Sequence, residues 1–527
     1  MGRNRTRWGM LIAVVLTSIF ASPLLADGTT VVKGETGAAL DQVVQATGGK
    51  DFWGAVLVAR GEEVLLAKGY GFADYKSTPI APDSFFELAS MSKIFTAMAI
   101  LRLEMQGRLS TDDPVSRFFP DLPDDKKGIT VFHLLTHTSG IGDNDTVMLP
   151  YATEVTRDEM VKHVMSFPCA SKPGEIHRYN NAGYAMLAAV IEKASGGSFE
   201  EYMRKEIFAP VRMTDTGFVG DKGLDPARVT ARSSEGEIFG SAVDFPWSWG
   251  YRGMGGMVST LCDLHKWYLA LKGQKLFDEA AKAKAFTAFK DDYGCGWMLE
   301  KTATGKRRQF HTGGVRGYRT LFAQYPEDDV VIVVLTNEEG DVHAMRDRLY
   351  GVVCPEEAVA SLIEATILPR VLKEAGGYAE LEGPEPWKVS ADSAKHIVVM
   401  SHTGPDGKTE GVSLSISSRA TATLVEQVEA ALLGKESVPD APQMRLGFQL
   451  VKYGPADPIR LGAEAMLRLT ASPIAPADEG ETGTYKSGVC VSLLDQVTHW
   501  EVVNARMNFS MAKKFVDDVK KASTRTK

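Results

Sequence analysis

Cysteine is scarce in this chain, with five residues among 527, at positions 169, 262, 295, 354 and 490. None stands in a C-x-x-C pair and their number is odd, which argues against a disulfide framework or a zinc ribbon and leaves buried, unreactive thiols as the default. Basic residues are in deficit: 59 Lys and Arg face 67 Asp and Glu, a net charge of -8 that speaks against nucleic acid as a partner. Long apolar runs are missing beyond residue 20, and neither solenoid periodicity nor a G-x-x-x-x-G-K-[ST] phosphate loop occurs. The 44% hydrophobic and 24% charged composition is that of a globular protein, and the length suggests two or three cooperating units.

Residues 1–26 read as a secretory signal. Arg3, Arg5 and Arg7 precede an apolar run from Met10 to Phe20, and Ala21, Ser22 and Ala26 offer small residues for cleavage. The run is short for a bilayer span, so no stable membrane span is expected after cleavage, and the protein is expected to be exported, to the periplasm or beyond. Cleavage would take the net charge to -11.

Residues 54–60 and 63–70 are β-rich runs around Gly61-Glu62, the pattern of a hairpin. Residues 318–325 and 330–336 repeat that pattern around Pro326 to Asp329, and the two hairpins are expected to share one antiparallel sheet. Between them the periodicity is helical, at 90–106, 157–166, 182–194 and 262–271. The helix read from Ser90 is apolar nearly all round, which buries it between layers. A helical stretch continues past Pro355 to about Gly376, residues 382–387 read as a linker, and 388–527 as a separate α+β module with strands near 396–401, 412–416, 445–453 and 489–494 and helices at 421–433, 459–467 and 511–521. The fold class is therefore α+β: an antiparallel sheet flanked by helices with a large helical insertion over 27–380, plus the C-terminal module.

Ser90-Met91-Ser92-Lys93 sets a hydroxyl and an amine three residues apart, on one helix face. For Lys93 to take the serine proton near neutrality, its pKa must fall well below the ordinary value of about 10.4, which burial in an apolar cleft supplies. Alone, S-x-x-K is a poor signal, and a second copy, Ser510 to Lys513, is read as chance. Ser90 differs in its company: Tyr179-Asn180-Asn181 brings a phenol and amides to a loop after Pro173-Gly174, and His311-Thr312-Gly313-Gly314 brings a strand-edge turn.

With these and the stretches Phe86 to Lys93 (FELASMSK), Leu134 to Gly140 (LLTHTSG), Tyr179 to Tyr184 (YNNAGY), Gly253 to Gly256 (GMGG) and Tyr293 to Trp297 (YGCGW), the chain resembles the class C β-lactamase and penicillin-binding-protein-like serine hydrolases over about residues 45–375. That family includes β-lactamases, D,D-carboxypeptidases, D-aminopeptidases and carboxylesterases. The resemblance implies Ser90 as acylated nucleophile, Lys93 and Tyr179 as the acid/base pair, and Asn181 as a substrate hydrogen-bonding group. It also implies an oxyanion hole from the N–H groups of Ser90 and Gly314, within a substrate-binding edge of His311, Thr312, Gly313 and Gly314. No metal or organic cofactor is implied, and the partner is a small-molecule or peptide substrate.

The sequence departs from the β-lactamase pattern where His311 stands in place of the lysine of K-T-G. A free histidine is mostly neutral at pH 7, so recognition of a substrate carboxylate falls to Arg316 if to anything, and an ester or D-amino-acid peptide is favoured over a β-lactam. The alternative is a non-catalytic or slowly acylated binding protein for cell-wall-type ligands. His133 and His137 have a metal-compatible i, i+4 spacing but lack the glutamate of H-E-x-x-H, and a structural role is expected. The second His-Thr-Gly, at His402, opens onto a hairpin turn and is read as a decoy, and Gly253 to Gly256 as backbone packing near the cleft. The substrate, the role of 388–527 and the oligomeric state are not set by the sequence.

Overall fold

The computed structural model describes residues 28–355 and 357, apart from 49–51, 143–147, 151–152 and 235–236, together with strand segments between 388 and 506. Seven antiparallel strands form the main sheet: β1 (Val31–Val32), β2 (Gly54–Arg60), β3 (Glu63–Tyr70), β4 (Met298–Lys301), β5 (Arg307–Val315), β6 (Tyr318–Tyr325) and β7 (Val330–Thr336). Their order is β1-β3-β2-β7-β6-β5-β4. Both expected hairpins are present with the bounds read from the sequence, and they join through β2 and β7, from Gly54 opposite Thr336 to Arg60 opposite Val330.

These two strands are apolar without interruption because the sheet is covered on both faces. Successive residues of β2 alternate between two cores: Val56 and Val58 pack with helices α1 (Gly34–Gly48) and α2 (Val342–Val353) on one side, and Ala55, Leu57 and Ala59 face the helical region on the other.

The helical region is inserted between β3 and β4. The helix Ser92–Met105 is its centre, buried from Ser92 through Leu101. Arg157–Ser166 starts with a capping box from Thr156 and Glu159, while Asn181–Ser195 is capped by the Asn180 side chain and ends at Gly196, whose φ of 80° suits a residue without Cβ. Leu261–Lys272 is capped by Thr260.

One boundary is corrected. Ser90 does not open the α-helix; it lies in a 3₁₀ turn, Ala89–Met91, and the α-helix begins at Ser92. The cause is Ala89, whose φ of 46° turns the chain into the helix through a left-handed step that propensity does not foresee.

C-terminal to residue 387, five strands (Lys388–Asp392, Ile397–Thr403, Thr409–Ile416, Leu446–Gly454, Asp457–Pro458) form one antiparallel sheet in chain order, and shorter strands follow, among them Val491–Ser492. The strands read at 396–401, 412–416 and 445–453 fall on members of this sheet. The helices expected at 421–433, 459–467 and 511–521, the stretch to Gly376, the linker, the signal segment, Cys490 and the second S-x-x-K lie outside the described residues.

Candidate active site

The site lies where the N-terminus of the Ser92–Met105 helix meets strand β5. Leu88, just before the Ser90 turn, is held by its N–H on Met257 O (2.7 Å), and its carbonyl accepts the Thr320 hydroxyl (2.8 Å). Gly313 lets the strand come this close: a Cβ there would stand 2.0 Å from Leu88 O. Pairing of β5 with β4 stops at Phe310 opposite Met298, so residues 311–315 keep β6 on one side and extend past the end of β4 on the other.

Lys93 is fully buried, and its Nζ is hydrogen-bonded to Ser90 Oγ (3.1 Å) and to Met254 O (2.6 Å). It stands 5.0 Å from the centre of the Tyr179 ring and 5.6 Å from that of Tyr184. Burial drives its pKa well below the ordinary lysine value. A neutral amine in this position can donate to the Met254 carbonyl and turn its lone pair to the Ser90 hydroxyl. The Gly253 to Gly256 run supplies backbone here: Gly253 O accepts the Thr96 hydroxyl (2.7 Å), and a Cβ on Gly253 would lie 2.4 Å from Tyr184 O.

Tyr179 and the half-buried Asn181 come from the loop and first turn of Asn181–Ser195. Asn180 fixes that turn, accepting the Gly183 N–H (2.9 Å) and donating to Gly142 O (2.9 Å), while Asn181 Nδ2 donates to the Met148 sulfur (3.5 Å). Thus Ser90, Lys93, Tyr179 and the 311–314 edge are brought together. Thr312 is half-buried and Gly314 exposed on that edge, whereas Arg316 is exposed on the β5–β6 turn beyond it.

His311 is engaged at both ring nitrogens. It is buried, its Nδ1 lies 2.6 Å from Thr312 O and its Nε2 3.1 Å from Tyr293 Oη, and burial, with Lys93 nearby, pushes its pKa down to about 3. It is a neutral ring committed to two partners, not a partly charged group offered to solvent.

Three participants were not given roles by sequence: Met254, which acts only through its carbonyl, and Tyr184 and Tyr293. Both tyrosines sit in stretches that carried the resemblance, and that was the available signal. His133 belongs to a capping box with Thr130, accepting its N–H at Nδ1, and the helix Val131–Leu135 ends before His137, so the two imidazoles share no helix face. Among the described residues no cluster of three His, Cys, Asp or Glu is arranged to hold a metal, and Cys169, Cys262, Cys295 and Cys354 are not joined in disulfides.

The beta-lactamase family model matches residues 40–353, more than half of the chain. The chain belongs to the beta-lactamase family. Penicillin-binding protein 4* of Bacillus subtilis is 31% identical over 317 residues, covering 55% of this chain and 69% of the relative. Among solved structures, the D-amino acid amidase of Ochrobactrum anthropi matches with a TM-score of 0.53 at 24% identity, over 60% of this chain and 98% of the amidase. The octameric penicillin-binding protein homologue of Pyrococcus abyssi matches with a TM-score of 0.53 at 22% identity, over 81% of this chain and 96% of the homologue. These two show the fold of this beta-lactamase family member: helices around an antiparallel sheet. Among its described residues, no helix is long and apolar enough to cross a membrane.

Proposed function

We propose that this family member is an exported serine hydrolase that works through an acyl-enzyme. Ser90 Oγ attacks an ester or amide carbonyl, Lys93 takes its proton, and Tyr179, beside the amine, passes a proton to the leaving group. The carbonyl oxygen, negative in the tetrahedral intermediate, is held by the N–H groups of Ser90 and Gly314. Asn181 hydrogen-bonds the acyl side, and water then releases it with the same groups reversed. The observation that carries this reading is the buried Lys93 Nζ at 3.1 Å from Ser90 Oγ, with no carboxylate among its hydrogen-bond partners in the described residues to hold it charged.

The state of His311 bears on substrate choice. With the ring neutral and both nitrogens engaged, the K-T-G position offers no cation, and Arg316 stands on an exposed turn. Neutral esters and amides, including amides of D-amino acids, therefore suit the cleft better than penicillins, whose carboxylate needs a fixed positive partner. The test is a fluorophosphonate probe on the mature protein, with the adduct located by mass spectrometry beside a Ser90→Ala control. Labelling of Ser90 is expected; an unmodified Ser90 under several such probes overturns the proposal.

A further inference from the structure

His137, for which the sequence suggests a structural role, lies between the Tyr179 loop and Tyr293. The main-chain N–H groups on both sides of Tyr179 end on it: Arg178 N–H donates to His137 O (2.9 Å), and Asn180 N–H donates to His137 Nδ1 (3.1 Å). Its ring lies 4.4 Å from that of Tyr179, centre to centre. The residue is buried and adopts a φ of 55°, a conformation that L side chains rarely take, so its surroundings hold it there.

The hydrogen bonds beyond it have a fixed direction. Because Asn180 N–H donates to Nδ1, the proton of a neutral His137 must be on Nε2, where it donates to Tyr293 Oη at 3.2 Å. Tyr293 then gives its own proton to His311 Nε2 at 3.1 Å, which places the His311 proton on Nδ1, where it donates to Thr312 O at 2.6 Å. Every donor in this series meets an acceptor, and the series runs from the Tyr179 loop to strand β5. Burial holds both rings neutral, pushing the pKa of His137 well below its ordinary value and that of His311 to about 3.

We infer that His137, Tyr293 and His311 form an uncharged strut that sets the spacing between Tyr179 and the oxyanion-binding edge of β5, with His137 and Tyr293 as positioning residues. The inference rests on the serine-hydrolase reading for its effect on rate, but not for its geometry. The strut joins two elements, one from the helical region and one from the sheet. Because it is neutral, it adds no positive charge beside Lys93 and leaves that amine free to act as a base.

Tyr293→Phe keeps the ring and removes the hydroxyl that both histidines use. On a neutral ester, kcat is expected to fall on the order of 10- to 100-fold while KM stays nearly unchanged, as for a misplacement of catalytic groups without loss of substrate contacts. Nitrogen-15 NMR of the full chain with labelled histidine gives the second readout, independent of turnover. His137 is expected to be protonated on Nε2 and His311 on Nδ1, both neutral at neutral pH, and His311 is expected to lose its single tautomer in the variant. An unchanged kcat in Tyr293→Phe, or a wild-type His137 carrying its proton on Nδ1, overturns the strut. If the variant does not fold, the wild-type tautomers decide. Failure of the hydrolase reading looks different: wild-type Ser90 stays unlabelled by the serine probe, whatever the tautomers are.

Discussion

A single methyl group on Gly313 measures how closely strand β5 and the Ser90 turn must approach. In Gly313→Ala the new carbon would start 2.0 Å from Leu88 O and 2.4 Å from Thr320 Oγ1, where real contacts stay beyond 3.0 Å. The Leu88 carbonyl is main chain, two residues before Ser90, and cannot rotate away, so strand and turn must separate by about 1 Å. A shift of that size between nucleophile and oxyanion donors costs on the order of 100-fold in acylation, or about 2.7 kcal/mol of barrier. Overpacking alone removes a further ~1–3 kcal/mol of stability. The assay is the pre-steady-state burst of a chromogenic ester, read beside thermal unfolding of the same samples. If Gly313→Ala loses stability but acylates within about threefold of wild type, the oxyanion edge is not where we place it.

Lys93→Met is expected to abolish turnover and, at neutral pH, to raise stability. Between Lys93's native pKa and about 10.4 the unfolded chain holds a proton that the native chain refuses, so this residue makes stability climb by ~1.4 kcal/mol per pH unit in that window, a slope the variant loses in urea titrations. For His311 the window is acidic: from about 6.5 down to its native value of about 3 the unfolded chain alone takes up the proton. Stability therefore falls as pH drops through that range, and His311→Gln should decline less steeply. Tyr179→Phe should lower kcat by about 100- to 10,000-fold with little change in melting temperature, checked by steady-state kinetics and calorimetry. With a thiol reagent at pH 8, native protein should show little reaction at Cys295, whose thiol is pushed up to about 12 by burial, and among the four cysteines of the described residues mass spectrometry should find the label first at the partly exposed Cys169.

The sheet was legible because its signals are local. Gly61-Glu62 and Pro326 to Asp329 mark turns, and the flanking runs are largely apolar. The helix start was not, since Ala89 enters the left-handed region under tertiary constraint, and alanine advertises nothing of the kind. Ser90, Lys93 and Tyr179 could be listed from motifs, but their approach depends on Met254 O, a backbone atom invisible to any pattern, and on a glycine chosen for what it leaves out. His311 is expected from its residue type to be mostly neutral, but the depth of its desolvation is a property of the whole packed unit. For His137 the missing glutamate of H-E-x-x-H leads to a structural role, but no local pattern shows that its ring takes the Asn180 N–H.

The pairing of β2 with β7 has a consequence for assembly. Strand β2 is an apolar ribbon, Gly54 to Arg60, and one of its two edges is satisfied only by a segment made after the entire helical region. On the growing chain the first hairpin therefore presents a sticky edge until Val330 to Thr336 arrive. Closing so long a loop makes folding slow relative to helix formation, because non-local pairings reward the chain only after their closure entropy is met. During that interval the order of events favours a chain kept extended or shielded.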